Sequence, residues 1–526
     1  MVASALAGSA AVSTAARGER GVPVGVAWAS RGTPPSPVAA APAEGKATQV
    51  DWYRLALDGR SCGHMRREST ARPDGGRRTV EETEMVVARD GVEARIGVRL
   101  ETVESSTGTL LEASRRFEGD WSSETRWIFA RDRVEEIRIE SGARVRRELE
   151  LPRDREFLAP SAAQSFFAAR RAAGADTVRW TTVSFEQGFE IVEVRATRLG
   201  EAAVRWDGRA VTVSRWRMES SGNPLSIEEW WSRDDRLVES RVSTGIGVLV
   251  ARLATAADAA AWRDRAQGGL PDVIAASVVP LAGRLPVRGD IELEVSTRDL
   301  EELPRVPDTA GQRFERIAGD AEGGRAMGRL ILRRGGTPFE CENGPTPGPE
   351  HLAAGPLIEI DDDLVRTLAL KESGVDPGAA PAVRAEGLRR FVRRWIRRKD
   401  LATALAGAAE VARSRSGDCT EHATLLAAML RVHDIPARIA VGLVHADRFA
   451  GRRNVFAWHA WVQGWIDGRW VDLDATAAGA ENGVRIAMAF SGLAGGVFDP
   501  VWIEVLPMMG AIELEVIPTS TPDAAP

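Results

Sequence analysis

The 526-residue chain has only three cysteines, Cys62, Cys341 and Cys419, and a single tyrosine, Tyr53. Three scattered cysteines exclude a disulfide framework. One bridge between Cys62 and Cys341 would suit an oxidising compartment, and two unpaired thiols are the other reading. Past the N-terminal stretch there is no run of about 18 uninterrupted apolar residues, so no internal helical membrane span is expected. The formal net charge is only -6. That argues against wholesale electrostatic binding of nucleic acid and leaves room for a local basic patch. Nothing in the sequence calls for a metal or another cofactor.

What is present is the composition of a folded soluble protein, 44% hydrophobic and 27% charged, with length enough for about two to four domains. Residues 1–50 are rich in Ala, Gly, Ser and Pro and read as a disordered leader or signal-like segment. Ala3 to Ala16 resembles the apolar region and small-residue cleavage site of an export signal, without the positive segment that should precede it. Export to the periplasm or cell envelope is the expectation this carries.

From 51 to 265 the hydrophobic period is two, the strand signal. In Glu93–Glu101, Ala94, Ile96, Val98 and Leu100 alternate with polar or small residues, and Arg133–Ile139 and Arg144–Leu151 alternate similarly. Asp-Gly pairs recur at 58–59, 74–75, 90–91 and 207–208. They suit the positive φ angles of tight hairpin turns. This predicts a large antiparallel sheet. Its opening, Trp52-Tyr53 through Cys62-Gly63-His64, resembles β-rich modules of bacterial envelope proteins, which makes an envelope component a candidate partner. A linker is expected near Gly268–Pro271, a smaller β-rich segment over 270–345, and a Gly/Pro loop over Gly335–Pro349.

After 355 the pattern turns helical. Asp361-Asp362-Asp363 precedes an apolar-periodic run and reads as helix-dipole complementation; a calcium site would need more spaced ligands. Leu388, Phe391, Val392, Trp395 and Ile396 follow the spacing of a buried helix face. Arg389, Arg390, Arg393, Arg394, Arg397 and Arg398 are expected opposite, as a solvated face or a contact for an anionic partner.

The chemistry concentrates in Gly417-Asp418-Cys419-Thr420-Glu421-His422. Asp418 reads as an N-cap with Glu421 completing a capping box. Cys419 then opens a helix, where the dipole favours the thiolate, the nucleophilic form. Gly417 would let a substrate approach closely. Downstream, Ala457–Ile466 and Arg469–Asp474 read as a hairpin about Asp467-Gly468. A two-residue turn sets Ile466 opposite Arg469, so Trp461 falls opposite Asp474. Asp474 thereby becomes the diagonal neighbour of His459 on one face, roughly 7–8 Å away. Asp472 shares that face one pair further off. Cys419, His459 and Asp474 thus fit nucleophile, base and orienting acid for acyl transfer, with the Cys419 N–H as one oxyanion donor. Gly417, Asp418, His422, Trp458 and Trp461 are the substrate-site candidates. A zinc site from Cys419, His422 and His459 falls short of the four ligands of a structural site.

These motifs, with Leu430-Arg431, Ile435-Pro436-Ala437-Arg438, Trp458-His459-Ala460-Trp461 and Asp472-Leu473-Asp474-Ala475-Thr476, resemble the bacterial transglutaminase-like superfamily. The resemblance covers about residues 355–480 and departs at Ala475, where the family usually has Pro. It implies a papain-like core, a helix on an antiparallel sheet, as the catalytic domain over 355–485; the large antiparallel β-rich domains before it and the C-terminal strands and disordered tail over 486–526 come from the residue pattern, and the whole reads as α+β. It also implies the triad Cys419, His459 and Asp474 acting on a protein or peptide. The activity would be acyl transfer or hydrolysis through a cysteine thioester. A cysteine peptidase of the cell envelope is the near alternative, and a non-catalytic envelope assembly protein the distant one.

Overall fold

The computed structural model describes residues 48–518 except 90, 119–121, 141–142, 152–155, 187, 207, 222, 267–268, 298–302, 304–305, 318–326, 335–338, 340–345, 356, 399–405, 478–482, 494–500, 502–504 and 506–507. The signal-like stretch within residues 1–47 lies outside the described residues, as does Cys341. Cys62 is a buried free thiol.

The N-terminal half is a fourteen-stranded antiparallel meander running from Thr48 to Ala254. Its first strand, Thr48–Leu57, pairs with its last, Gly247–Ala254. The two ends of the chain segment therefore meet in the middle of the sheet, which leaves Ala143–Glu150 and Thr177–Ser184 as the edges. The alternation in the sequence is what fills one face: Ala94, Ile96 and Val98 are all buried. Asp58-Gly59 turns the first hairpin with φ of 47° and 78°, a left-handed pair that glycine and aspartate tolerate. The helix Pro160–Ala172 links the two edges. Its Phe167 ring lies 5.1 to 5.9 Å from Trp180, Trp216 and Trp231.

The second sheet is mixed and close to a barrel. Arg452–Ile466, the histidine strand, is flanked by Ala437–Phe449 on one side. On its other edge Val279–Ala282 pairs at one end and Arg469–Leu473 at the other. The strands Ile291–Thr297, Gln312–Ile317 and Met327–Leu332 and the C-terminal Ile512–Val516 continue the same sheet. The only parallel pairing within it joins Val279–Ala282 to Ile512–Val516 among the described strands.

Against this sheet packs the helix Cys419–Val432, in which every residue from Cys419 to Arg431 is buried. A helix buried on all sides is held by packing rather than by an amphipathic face. Truncating Leu425 or Leu426 there would cost about 2–5 kcal/mol. The helix Pro381–Trp395 covers it, burying Leu388, Phe391 and Val392 as the spacing predicts. Arg390, Arg393, Arg394, Arg397 and Arg398 are exposed. Arg389 departs from expectation: it is buried, because the loop after Arg469–Leu473 closes over its side of the helix. Asp362 caps the short helix Asp363–Thr367 through the Leu364 and Val365 N–H groups, and the same carboxylate meets Arg413. No described helix is long and apolar enough to cross a membrane.

Candidate active site

Cys419 is the first residue of its helix, and the turn before it is fixed by side chains. Asp418 accepts from the Thr420 N–H at 2.9 Å and the Thr420 hydroxyl at 2.7 Å. Glu421 reaches back to accept the Asp418 N–H at 2.8 Å, completing the capping box. Its other oxygen accepts the Ala406 N–H at 3.0 Å. This return of Glu421 explains Gly417. A Cβ at Gly417 would collide with Cβ and Cγ of Glu421. The space beside Gly417 is therefore filled by the capping carboxylate rather than left for a substrate, contrary to the expectation from sequence.

Opposite the helix start runs the histidine strand. Its hairpin has the expected register, with Ile466 opposite Arg469 and Val462 opposite Leu473. Asp467-Gly468 makes the turn at φ of 50° and 78°. Asp474 follows directly, and its Oδ2 lies 3.0 Å from His459 Nε2. The other oxygen, Oδ1, accepts from the Thr476 N–H at 2.8 Å and the Thr476 hydroxyl at 2.6 Å. Arg485 Nη2 donates to Oδ2 at 3.0 Å. The buried Arg389 guanidinium donates to the backbone carbonyls of Asp474 at 3.0 Å and Ala477 at 2.9 Å, pinning the loop that carries the acid.

Between Phe456, which pairs with Val279, and Val462, which pairs with Leu473, the outer edge of the histidine strand has no strand partner among the described residues. Cys419 occupies that gap, its sulfur accepting from the Ala460 N–H. The nucleophile candidate thus sits against the residue next to His459, with only 2% of its surface exposed. That burial, together with the Asp418, Glu421 and Asp474 carboxyls, pushes the Cys419 thiol well above its ordinary value despite the Ala460 N–H. Burial and the neighbouring carboxyls thus oppose the thiolate that the helix start favours, an opposition the sequence does not reveal. At Asp474 burial acts upward too, but His459, Arg485 and Thr476 overcome it and hold the carboxyl well below the usual range. Burial and the neighbouring Asp418 push Glu421 well above that range.

The remaining candidates are placed as follows. His422 turns back along its own helix, Nδ1 lying 2.6 Å from the Asp418 carbonyl. Trp461 stacks on His459 with ring centroids 6.1 Å apart and donates its indole N–H to Asp472 at 2.8 Å. Asp472 thus serves the tryptophan and Gln463 rather than His459. Trp458 is buried in the core, and its indole N–H has no acceptor among the described residues. Asp418 meets Arg89 of the N-terminal sheet at 3.1 Å. No cluster of three or more His, Cys, Asp or Glu able to hold a metal occurs among the described residues.

Sequence reasoning missed Arg89, Arg389 and Arg485. For Arg389 the helical spacing was misleading. For the other two no local signal exists, since each reaches the site through tertiary contact.

Comparison with known proteins matches residues 371–475 to the transglutaminase-like superfamily. None of the curated proteins compared matches the chain. Among solved structures, a β-barrel-like protein of a domain family of unknown function from Brucella abortus is 13% identical. It covers 39% of this chain and 95% of its own, with a TM-score of 0.32. A proposed cysteine protease from Cytophaga hutchinsonii is 17% identical, covering 44% of this chain and 90% of its own at a TM-score of 0.27. A proposed protease from Parabacteroides distasonis is 13% identical, covering 76% and 69% at 0.18. Scores this low carry no argument about fold or activity. Behind its large antiparallel sheet, the chain carries a domain of the transglutaminase-like superfamily over residues 371–475.

Proposed function

We propose that this chain is a thiol enzyme that acts on amide bonds of a protein or peptide through a thioester on Cys419. The observation that carries the reading is the buried His459–Asp474 pair, 3.0 Å apart, on the strand whose Ala460 N–H meets the Cys419 sulfur. With the His459 Nε2–H donated to Asp474, Nδ1 is the nitrogen that takes the thiol proton. The sulfur then attacks the amide carbonyl, and the imidazolium returns its proton to the departing amine. Asp474 holds the tautomer and stabilises the cation. Water or an amine next attacks the thioester, with His459 as base, and releases the acid or a new amide. The Cys419 N–H at the helix start serves as one oxyanion donor. Because Cys419 is buried, substrate binding has to open the site, a step that also excludes water during chemistry.

The experiment is incubation of the full chain with a library of glutamine-bearing and cell-wall-type peptides, followed by intact-mass measurement after acid quench. A mass adduct on Cys419 that hydroxylamine removes, and that Cys419→Ala lacks, supports the reading. Loss of no peptide amide in any mixture, with wild type and Cys419→Ala alike, overturns it. An envelope peptidase is the form in which water is the acceptor; export of the chain belongs to that proposal and is read by fractionation of cells. An assembly role in the envelope would instead survive Cys419→Ala.

A further inference from the structure

The N-terminal sheet and the nucleophile helix are joined by one buried ion pair. Arg89 ends the strand Arg77–Arg89, and its Nη2 lies 3.1 Å from Asp418 Oδ2, with side chains 0% and 1% exposed. Asp418 is the residue immediately before Cys419 and the N-cap of its helix. We propose that Arg89 is a positioning residue which the N-terminal sheet contributes to the active site, answering the charge of Asp418 beside Cys419 and fixing the start of the nucleophile helix. The proposal rests on the reading of Cys419 as nucleophile.

Three observations support it. First, Arg89 is delivered by a hydrogen-bonded path. The neighbouring Ala88 N–H donates to the Pro271 carbonyl at 2.8 Å, and Ala88 bridges to Asp272. Asp272 caps the short helix Val273–Ser277 through the Ile274 and Ala275 N–H groups. That helix runs into Val279–Ala282, where Val279 pairs with Phe456, three residues before His459. The strand end that carries Arg89 and the strand that carries His459 are thus linked by one hydrogen-bonded series. Relative movement of the sheet and the catalytic region would be felt at both.

Second, the charges around the thiol need a cation. Its own helix contributes Asp418, Glu421 and His422; the histidine strand contributes His459; the following loop contributes Asp474, already engaged by Arg485. Asp418 acts on the Cys419 thiol in the direction that opposes ionisation. Arg89, coming from outside the catalytic region, is the cation that meets the Asp418 carboxylate. Third, an arginine–carboxylate pair with both partners out of water is a poor way to gain stability, because desolvation consumes most of the attraction. Its placement one residue from the nucleophile fits a positioning role.

The test uses the full chain and the pH profile of iodoacetamide alkylation at Cys419, read by mass spectrometry with Cys62 as internal reference. Arg89→Met should move the profile up by about one to two pH units. Adding Asp418→Asn, which keeps an N-cap side chain, should bring it back to within about half a unit of wild type, and Arg89→Lys should restore most of it. A merely structural role would expose Cys62 in parallel and would not be reversed by neutralising Asp418. If Arg89→Met alone does not fold, the double variant decides: a profile near wild type supports the proposal, and a displaced one overturns it. A folded Arg89→Met with an unmoved profile overturns it as well. Failure of the nucleophile reading looks different, since alkylation of the wild type would then be indifferent to His459→Ala.

Discussion

Replacing Asp474 by Asn should disable the site while leaving its shape. Oδ1 of Asp474 accepts two hydrogen bonds, from the N–H and hydroxyl of Thr476 at 2.8 and 2.6 Å. The Asn carbonyl will take that position, because an amide N–H cannot accept. The amide nitrogen must then stand where Oδ2 stood, facing His459 Nε2 and Arg485 Nη2, each 3.0 Å from it in the wild type. His459 can meet a donor only with unprotonated Nε2, so its proton moves to Nδ1. That is the nitrogen which has to accept from Cys419. Trapping the wrong tautomer in this way costs about 10⁴-fold in kcat in the serine-protease triad, and a loss of 10³–10⁴-fold is expected here. Arg485 would also face an N–H in place of a carboxylate, a further cost of about 1–3 kcal/mol in stability. The assay is the rate of amide cleavage or acyl transfer at neutral pH, with thermal unfolding as the fold control. A folded Asp474→Asn protein within about tenfold of wild type would refute the tautomer argument.

Other outcomes follow from the same contacts. Gly417→Ala places a methyl group against Glu421 and should lower stability by about 1–3 kcal/mol through overpacking, measured by urea unfolding; an unchanged midpoint would mean Glu421 does not return to the cap. Glu421 has a raised carboxyl value when folded, so its contribution is fully present below the unfolded value of about 4.3 and is lost as pH rises through the folded one. Glu421→Gln should therefore flatten the loss of stability toward neutral and alkaline pH, as followed by melting temperature against pH; an equally steep decline would contradict this. Arg389→Met frees the carbonyls of Asp474 and Ala477 and should reduce activity by about 10- to 100-fold. Because Arg389 also packs in the core, the comparison that matters is Arg389→Lys, which should recover part of the activity.

The parts of this site that could be read from sequence are those that depend on local geometry. The capping box at Asp418 and Glu421 needs only a three-residue spacing. The His459–Asp474 contact needs only a two-residue turn at Asp467-Gly468 and the period of a strand. What escaped is tertiary. Arg89 and Asp418 are 329 residues apart in the chain, and no pattern near either announces the other. Arg389 sits in a run of arginines whose other members, Arg390, Arg393, Arg394, Arg397 and Arg398, are exposed, so helical spacing places it on the wrong side. At Cys419 the helix start that favours the thiolate is visible in sequence, and the opposing burial by neighbouring elements is not. Gly417 was read for its lack of a side chain, correctly as to space, but the occupant is Glu421. The β-rich half was legible as a sheet from its alternation and Asp-Gly turns; its closure of the first strand on the fourteenth was not, because that pairing spans the whole segment.

The most direct test of the central claim compares iodoacetamide alkylation of Cys419 near neutral pH in wild type and His459→Ala. Removing the buried imidazole opens space beside the thiol, which by itself would ease ionisation and access, so a slower rate in the variant reports loss of the base. Cys62, whose thiol burial pushes up to about 12, is the built-in reference for opening of the fold. The account predicts that Cys419 labels faster than Cys62 in wild type and loses at least about tenfold in the variant, as expected for removal of a positioned base. Equal labelling of Cys419 in the two proteins, at a rate no greater than that of Cys62, would contradict it.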